Sequence, residues 1–283
     1  MSMRPPDPVR PDPDDPRLSR SVVGRDQDGN ATATRVVVER PLTIFLDDRE
    51  IVTAMTIGDH PDLLAVGYLR NQALIAGRED VAGIDVDEED GLVVVRTHER
   101  RDVSDRMKRR IRTSGCAQGT VFADVMRDFE RVSLPRGWTV RQDELIALGK
   151  EIANIPSLYL AAGAIHGAAL CRGTDVLAYF EDVGRHNAVD KIAGWMALND
   201  VDPADKLFYT TGRLTSEMVI KTVMMRLPTL VSRSGFTAWG VELARASGLT
   251  LIGRMKGKRF VVLSGEERVS FEPSATSAEG VAA

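Results

Sequence analysis

Cys116 stands apart from its neighbours. It lies in Thr113-Ser114-Gly115-Cys116-Ala117-Gln118-Gly119-Thr120, between glycines, and it follows Arg109, Arg110 and Arg112. Nearby cations lower a thiol pKa and favour the nucleophilic thiolate. Glycines on both sides predict a flexible or tightly turned loop, which would let the sulfur visit two partners. An incidental surface cysteine is the plain alternative. The only other cysteine, Cys171, ends an apolar run and reads as a buried, inert thiol.

Three further stretches concentrate polar chemistry. In Glu181-Asp182-Val183-Gly184-Arg185-His186-Asn187, a carboxylate pair, a glycine, a cation, an imidazole and an amide fall within a few residues. A helix start capped by Asn187 or Asp182 explains one of these residues but not the run. Thr211-Gly212-Arg213-Leu214-Thr215-Ser216-Glu217 and Ser232-Arg233-Ser234-Gly235-Phe236-Thr237 each place hydroxyls, an arginine and a glycine ahead of a helix. A helix N-terminus beside such residues is ready for an anion, and three in succession point to a phosphate-bearing ligand. Arg254-Met255-Lys256-Gly257-Lys258-Arg259 sets four cations around a glycine between two strands. It is either a solvated hairpin or part of the same anion site. His166, among small residues, reads equally as a core histidine or a ligand contact. His60 and His98 read as surface residues.

These loops need elements to hold them. Strands are predicted at Arg35–Glu39, Thr43–Leu46, Glu50–Ile57, Val81–Val86 and Leu92–Thr97. A helix capped by Asp59 is predicted to interrupt them. From Asp143 onward the pattern alternates. Helices are predicted at Asp143–Ile155, Asn187–Leu198, Ser216–Leu227 and Ala238–Ser247. Strands are predicted at Ala164–Cys171, Val176–Glu181, Lys206–Thr211, Thr229–Ser232, Leu249–Gly253 and Phe260–Leu263. Such alternation argues for an α/β domain with a largely parallel sheet and a ligand at the carboxyl ends of its strands. The expected division is a Pro/Asp-rich disordered tail over 1–30, a strand-rich α+β region over 31–135 that includes the Cys116 loop, an α/β domain over 136–270 and a flexible tail over 271–283. Six of the thirteen prolines fall within the first sixteen residues, a composition that cannot bury enough apolar area to order itself.

Composition excludes several classes. With 283 residues, 43% hydrophobic, the chain can bury a substantial core. Two cysteines cannot supply a four-thiolate zinc site, an all-cysteine iron–sulfur cluster or a disulfide scaffold. No apolar run is long enough to span a membrane, and the first twenty residues lack a signal-peptide core, so a cytoplasmic protein is expected. A net charge of −4 disfavours a general nucleic-acid binder.

Taken together, the cysteine loop, Gly163–Ala169, the run Glu181-Asp182-Val183-Gly184-Arg185-His186-Asn187-Ala188-Val189-Asp190-Lys191, Gly212–Val219 and the strand and turn Leu249–Arg259 resemble the FdhD family of sulfurtransferases, which mature formate dehydrogenases. The resemblance covers roughly residues 35 to 265. It implies a C-terminal three-layer α/β domain of cytidine-deaminase-like fold beside the smaller N-terminal α+β region. It also implies that a cysteine desulfurase loads Cys116 as a persulfide. That sulfur would then reach the molybdenum of bis-(molybdopterin guanine dinucleotide) before the cofactor enters formate dehydrogenase. Cofactor contacts are expected at Arg254, Met255, Lys256, Gly257, Lys258 and Arg259, with Arg185, His186, Arg213 and Arg233 as the other cationic contacts. A homodimer is favoured, and no resident metal is implied. The family's loop has the form Ser-Gly-Cys-x-x-Cys-Gly or close variants, and the chain departs from it in that Gly119 stands where a second cysteine is usual.

Two other functions compete. A zinc-dependent nucleobase deaminase needs a His- or Cys-x-Glu motif and Pro-Cys-x-x-Cys; His166 is followed by Gly167 and Ala168, and the chain has no Cys-x-x-Cys. A non-catalytic cofactor-binding module would use the cationic loops and leave Cys116 idle.

Overall fold

The computed structural model describes residues 8–100 and 122–271. Cys116 and the outer tails, 1–7 and 272–283, lie outside them.

The N-terminal segment departs from the disordered tail expected over 1–30. Val9 bridges Ala178 in parallel fashion, donating its N–H to the Leu177 carbonyl at 3.1 Å and accepting from Tyr179 N at 3.0 Å. Strand β1 (Ser19–Arg25) then pairs antiparallel with β2 (Ala31–Val37). Composition predicts disorder because no local apolar set exists, but here the order comes from pairing with a strand about 170 residues away.

Strands β3 (Arg40–Leu46), β4 (Arg49–Thr56), β5 (Val81–Asp87) and β6 (Leu92–Thr97) form a four-stranded sheet in the order β4-β3-β6-β5. Helix α1 (Pro61–Asn71) covers one face. Alternate strand residues Leu42, Ile44, Leu46, Val93 and Val95 meet Leu64, Val66 and Leu69 in a separate small core, each such side chain contributing about 1.5–3 kcal/mol of burial. The cap of α1 is His60 in the left-handed region, not Asp59 as predicted, because the Asp59 carboxylate is taken by Lys191.

The second unit is three layers thick. Helix α2 (Phe122–Arg131) leads into the short strand β7 (Val140–Arg141), α3 (Gln142–Asn154) and α4 (Leu158–Ala162). The central sheet contains β8 (His166–Arg172), β9 (Asp175–Asp182), β10 (Leu207–Thr210), β11 (Thr229–Ser232), β12 (Thr250–Lys256) and β13 (Arg259–Ser264), in the order β13-β12-β11-β10-β8-β9. Helices α5 (Arg185–Leu198), α6 (Ser216–Met224) and α7 (Ala238–Ser247) connect its strands. The sheet is mixed. β9, β10, β11 and β12 run one way, while β8 and β13 oppose their neighbours. The hairpins β8-β9 and β12-β13 are too tightly connected to be parallel. A short strand β14 (Val269–Ser270) pairs with β7.

Alternation along the strands sorts the two faces. Ala168, Leu170, Phe180, Phe208 and Leu230 pack against α5, α6 and α7, whereas Ala169, Cys171, Tyr209 and Val231 pack against Leu145, Leu148 and Ile152 of α3. Val125, Phe129 and Leu134 join the first of these cores, so the expected boundary at 135 moves N-terminal of α2. Cys171 is fully buried, and burial pushes its thiol pKa up.

Helix α5 is buried on every side from Ala188 to Ala197, because α1 crosses it. At the crossing the backbones touch: a Cβ on Gly67 would meet the Asp190 carbonyl oxygen at 1.7 Å, and one on Gly194 the Leu63 oxygen at 1.9 Å. Only glycine allows that approach. Among the described residues no helix is long and apolar enough to cross a membrane.

Candidate functional site

The carboxyl ends of β9, β10, β11 and β12 share one edge, so the loops that follow them meet there. Hydroxyl groups join one loop to the next. Thr211 Oγ1 accepts from Gly167 N at 3.0 Å, Thr210 Oγ1 from Gly212 N at 3.0 Å, and Ser232 Oγ donates to Gly212 O at 2.6 Å. Arg254 N reaches Ser234 O at 2.7 Å. Gly212 leaves room for Arg185, since a Cβ there would lie 3.2 Å from two of its side-chain carbons.

The run 181–191 divides into a supporting half and a presenting half. Glu181 and Asp182 face inward. The Glu181 carboxylate accepts Leu158 N at 2.7 Å and Tyr159 N at 2.9 Å, and burial pushes its pKa up to about 6. Asp182 accepts from Thr56 Oγ1 at 2.5 Å, Gly184 N at 3.1 Å and Asn187 Nδ2 at 2.9 Å, and pairs with Lys191 at 2.7 Å. Burial of Lys191 opposes its charge, but Asp182 and Asp59 outweigh that and hold its pKa above the usual value. The cap of α5 is Gly184, not Asn187 or Asp182; Asn187 instead donates to Met55 O at 2.7 Å, tying the loop to β4.

Arg185 and His186 open the first turn of α5, where the helix dipole disfavours added positive charge and favours an anion. His186 Nε2 lies 3.1 Å from Glu217 Oε2. Burial lowers the His186 pKa despite that carboxylate. Burial, Arg185, His186 and Arg213 likewise lower that of His166, whose Nδ1 is 3.3 Å from Thr211 Oγ1. Both imidazoles therefore stay neutral to a lower pH than a free histidine. Arg213 is exposed on the rim, and Arg233 lies 5.3 Å over the Tyr159 ring.

Two cavities meet at His166 and Val183. One, of about 330 Å³, is bordered by Tyr159, Thr211 and Arg233. The other, of about 530 Å³, runs between β4, the end of α1 and the start of α5, with Arg185, His186 and Glu217 in its lining. Its floor holds Asn71, Asp190 and Lys221, where Asp190 accepts from Lys221 at 2.7 and 2.8 Å and from Asn71 at 2.7 Å. These floor residues were not predicted as site residues. A charged residue inside each of two apolar helices, Asp190 and Lys221, was the available signal; Asn71 carried none.

The hairpin is placed differently. Lys256, Gly257, Lys258 and Arg259 are exposed at the β12-β13 turn, with Gly257 at φ 59°, and none of them lines either cavity. Met255 departs from its predicted place on the cationic turn: its side chain is buried in the core on the α3 face, close enough that a Cβ on Gly149 would strike its Cε at 2.5 Å. Arg254, at φ 54°, marks a register shift that turns the chain outward between them. His60 and His98 are exposed, as expected.

Fold and site together define an α/β protein whose arginine- and histidine-bearing loops meet at one edge of the large sheet, beside a second, smaller unit. The FdhD/NarQ family model matches residues 37–270, and the chain belongs to that family. Similar proteins include one named sulfur carrier protein FdhD from Bacillus subtilis, 31% identical over 83% of this chain and 90% of that protein. Another of the same name from Listeria innocua is 29% identical over 89% of this chain and 99% of that protein. A crystal structure described as a formate dehydrogenase accessory protein from Desulfotalea psychrophila superposes with a TM-score of 0.72 at 27% identity, covering 89% and 99% of the two chains.

Proposed function

We propose that this chain is a sulfurtransferase of formate dehydrogenase maturation. It takes sulfur from a cysteine desulfurase onto Cys116 and passes it to the molybdenum of bis-(molybdopterin guanine dinucleotide), its cargo, in the cytoplasm. The names of the relatives support the general role. The observation that carries the reading here is the cavity that has Arg185 and His186 in its lining and Val125 of α2 as part of its wall. Cys116 precedes Phe122, the first residue of that helix, by six positions, a distance of about 20 Å when extended.

In the loading step the Cys116 thiolate attacks the outer sulfur of the desulfurase persulfide. A new S–S bond forms on Cys116 while the old one breaks and the desulfurase thiolate leaves, with no net electron required. Gly119 cannot act as a resolving thiol, and Cys171 is sealed in the core, so the two electrons that release the outer sulfur as sulfide and leave Cys116 as thiolate come from a pair of external thiols, which depart as a disulfide, or from the cargo that captures the sulfur. Arg185, His186, Arg213 and Arg233 are the proposed contacts for the cargo's pyrophosphates, with the Arg254–Arg259 turn as a second cationic surface. The mixed sheet with helices on both faces supports the deaminase-like description of the fold.

In a strain lacking the native protein, Cys116→Ala is expected to abolish formate dehydrogenase activity and Cys171→Ala to keep most of it. Mass spectrometry after incubation with a desulfurase and cysteine should find added sulfur on Cys116. Full activity from Cys116→Ala would instead support a cofactor chaperone in which that thiol is dispensable.

A further inference from the structure

A cleft of about 1030 Å³ opens where α1, α5 and α6 all end, and it shares no lining residue with the 530 Å³ cavity. Each of these helices closes in the left-handed region on a residue other than glycine: Ala73 at φ 55°, Asp200 at φ 49° and Arg226 at φ 60°. All three residues line the cleft. Ile75, Leu134, Met196, Val201 and Met224 give it an apolar wall.

Arg70 is the group in this lining whose charge lacks an answer. It sits in the last turn of α1, partly buried, and its guanidinium makes no hydrogen bond or ion pair among the described residues. Burial and the charge of Arg226 both oppose its own charge, and Glu79 offsets them without forming an ion pair. The Arg226 guanidinium, exposed at the edge of the cleft, is also without a partner among the described residues. Arg78 differs, because it donates to the Val81 carbonyl at 3.0 Å. A partly desolvated guanidinium without an acceptor is costly, and its planar fork fits an oxyanion. The surroundings limit that anion's charge. Glu79, Asp128, Asp200 and Asp202 border the same cleft, and the carbonyl ends of three helices add negative potential. A phosphate dianion would meet that potential with twice the charge of a carboxylate.

We infer that Arg70 and Arg226 form a binding site for a small organic monocarboxylate, its carboxylate held by the two guanidiniums and its hydrocarbon chain lying along Ile75, Leu134 and Met224. The site is separate from the loops at the carboxyl edge of the large sheet and does not depend on the role of Cys116.

Calorimetric titration of the full chain with hexanoate, hexyl phosphate and hexylamine tests this, since the three share one hydrocarbon chain and differ in the charged head. Hexanoate should bind about tenfold more tightly than hexyl phosphate, and hexylamine should give no heat of binding. Arg70→Gln should lower the affinity for hexanoate about tenfold. Arg226→Gln should lower it severalfold, and its exposed position keeps the test available if the Arg70 variant does not fold. Absence of hexanoate binding overturns the inference. So does binding of hexyl phosphate or hexylamine as tight as that of hexanoate, or a hexanoate affinity that survives unchanged in either arginine variant.

Discussion

Glu181 is a buried carboxylate whose two oxygens each hold a backbone N–H at the start of α4. Burial outweighs those bonds and raises its pKa from 4.5 to about 6. The folded state therefore binds a proton more tightly than the unfolded chain does. Stability from this group is complete below pH 4.5 and is lost as pH climbs through about 6, a loss on the order of 2 kcal/mol. Urea midpoints measured across that window should fall with rising pH in the wild type. In Glu181→Gln the fall should flatten, at the expense of one of the two N–H contacts; an identical slope in both chains would show that the titrating group lies elsewhere. The site's polar types were legible at this scale: the loops after β9, β10 and β11 named from sequence meet at one edge, while the β12-β13 turn lies apart and the Cys116 loop lies outside the described residues. The site's floor was legible only in the charges of Asp190 and Lys221, because Asn71 ends α1, more than 100 positions before those loops, and nothing local marks it.

At the scale of elements, Gly67 and Gly194 set how closely α1 and α5 approach. Gly67→Ala would drive a methyl into the Asp190 carbonyl, with no flexible side chain to yield. A loss of about 3 kcal/mol, the upper end of ordinary overpacking, is expected from denaturant unfolding. An alanine variant of wild-type stability would mean the helices can part at little cost. Thr229–Ser232 and Ala238–Ser247 match their predicted bounds, the latter because Thr237 accepts from Gly240 N and Gly248 closes the helix in the left-handed region. Where prediction failed, a tertiary partner had overridden a local signal: Lys191 claimed Asp59 from the cap of α1, and β9 ordered the proline-rich segment through Val9. The β12 strand outran its predicted end because Arg254 absorbs the irregularity and pairing resumes at Lys256. This leaves a two-residue turn whose cations are exposed. Replacing Lys256, Lys258 and Arg259 together by Ala should weaken guanine-nucleotide binding in low salt, with the difference shrinking as ionic strength rises. Equal affinity at every salt concentration would leave the turn as a solvated hairpin.

For the molecule as a whole, Val9 covers the outer edge of β9, the end of the six-stranded sheet. Unpaired edges invite pairing with other chains. A chain lacking residues 1–17 should scatter more light on concentration and unfold at a lower temperature than the full chain. If it stays monodisperse with an unchanged midpoint, the segment adds no protection. The crossing of α1 and α5 bears on how the protein can be taken apart. Asp59 with Lys191 and Asn71 with Asp190 each span the two sheets' cores, and β4 supplies one wall of a cavity whose opposite wall starts α5. The two units are thus not modules. Separated, each would expose a face built for the other, and the larger would strand a buried lysine without one of its two carboxylates. Splicing the small sheet of one homologue onto the large sheet of another requires moving both halves of this seam together, from Asp59 to Asn71 and from Asp182 to Gly194.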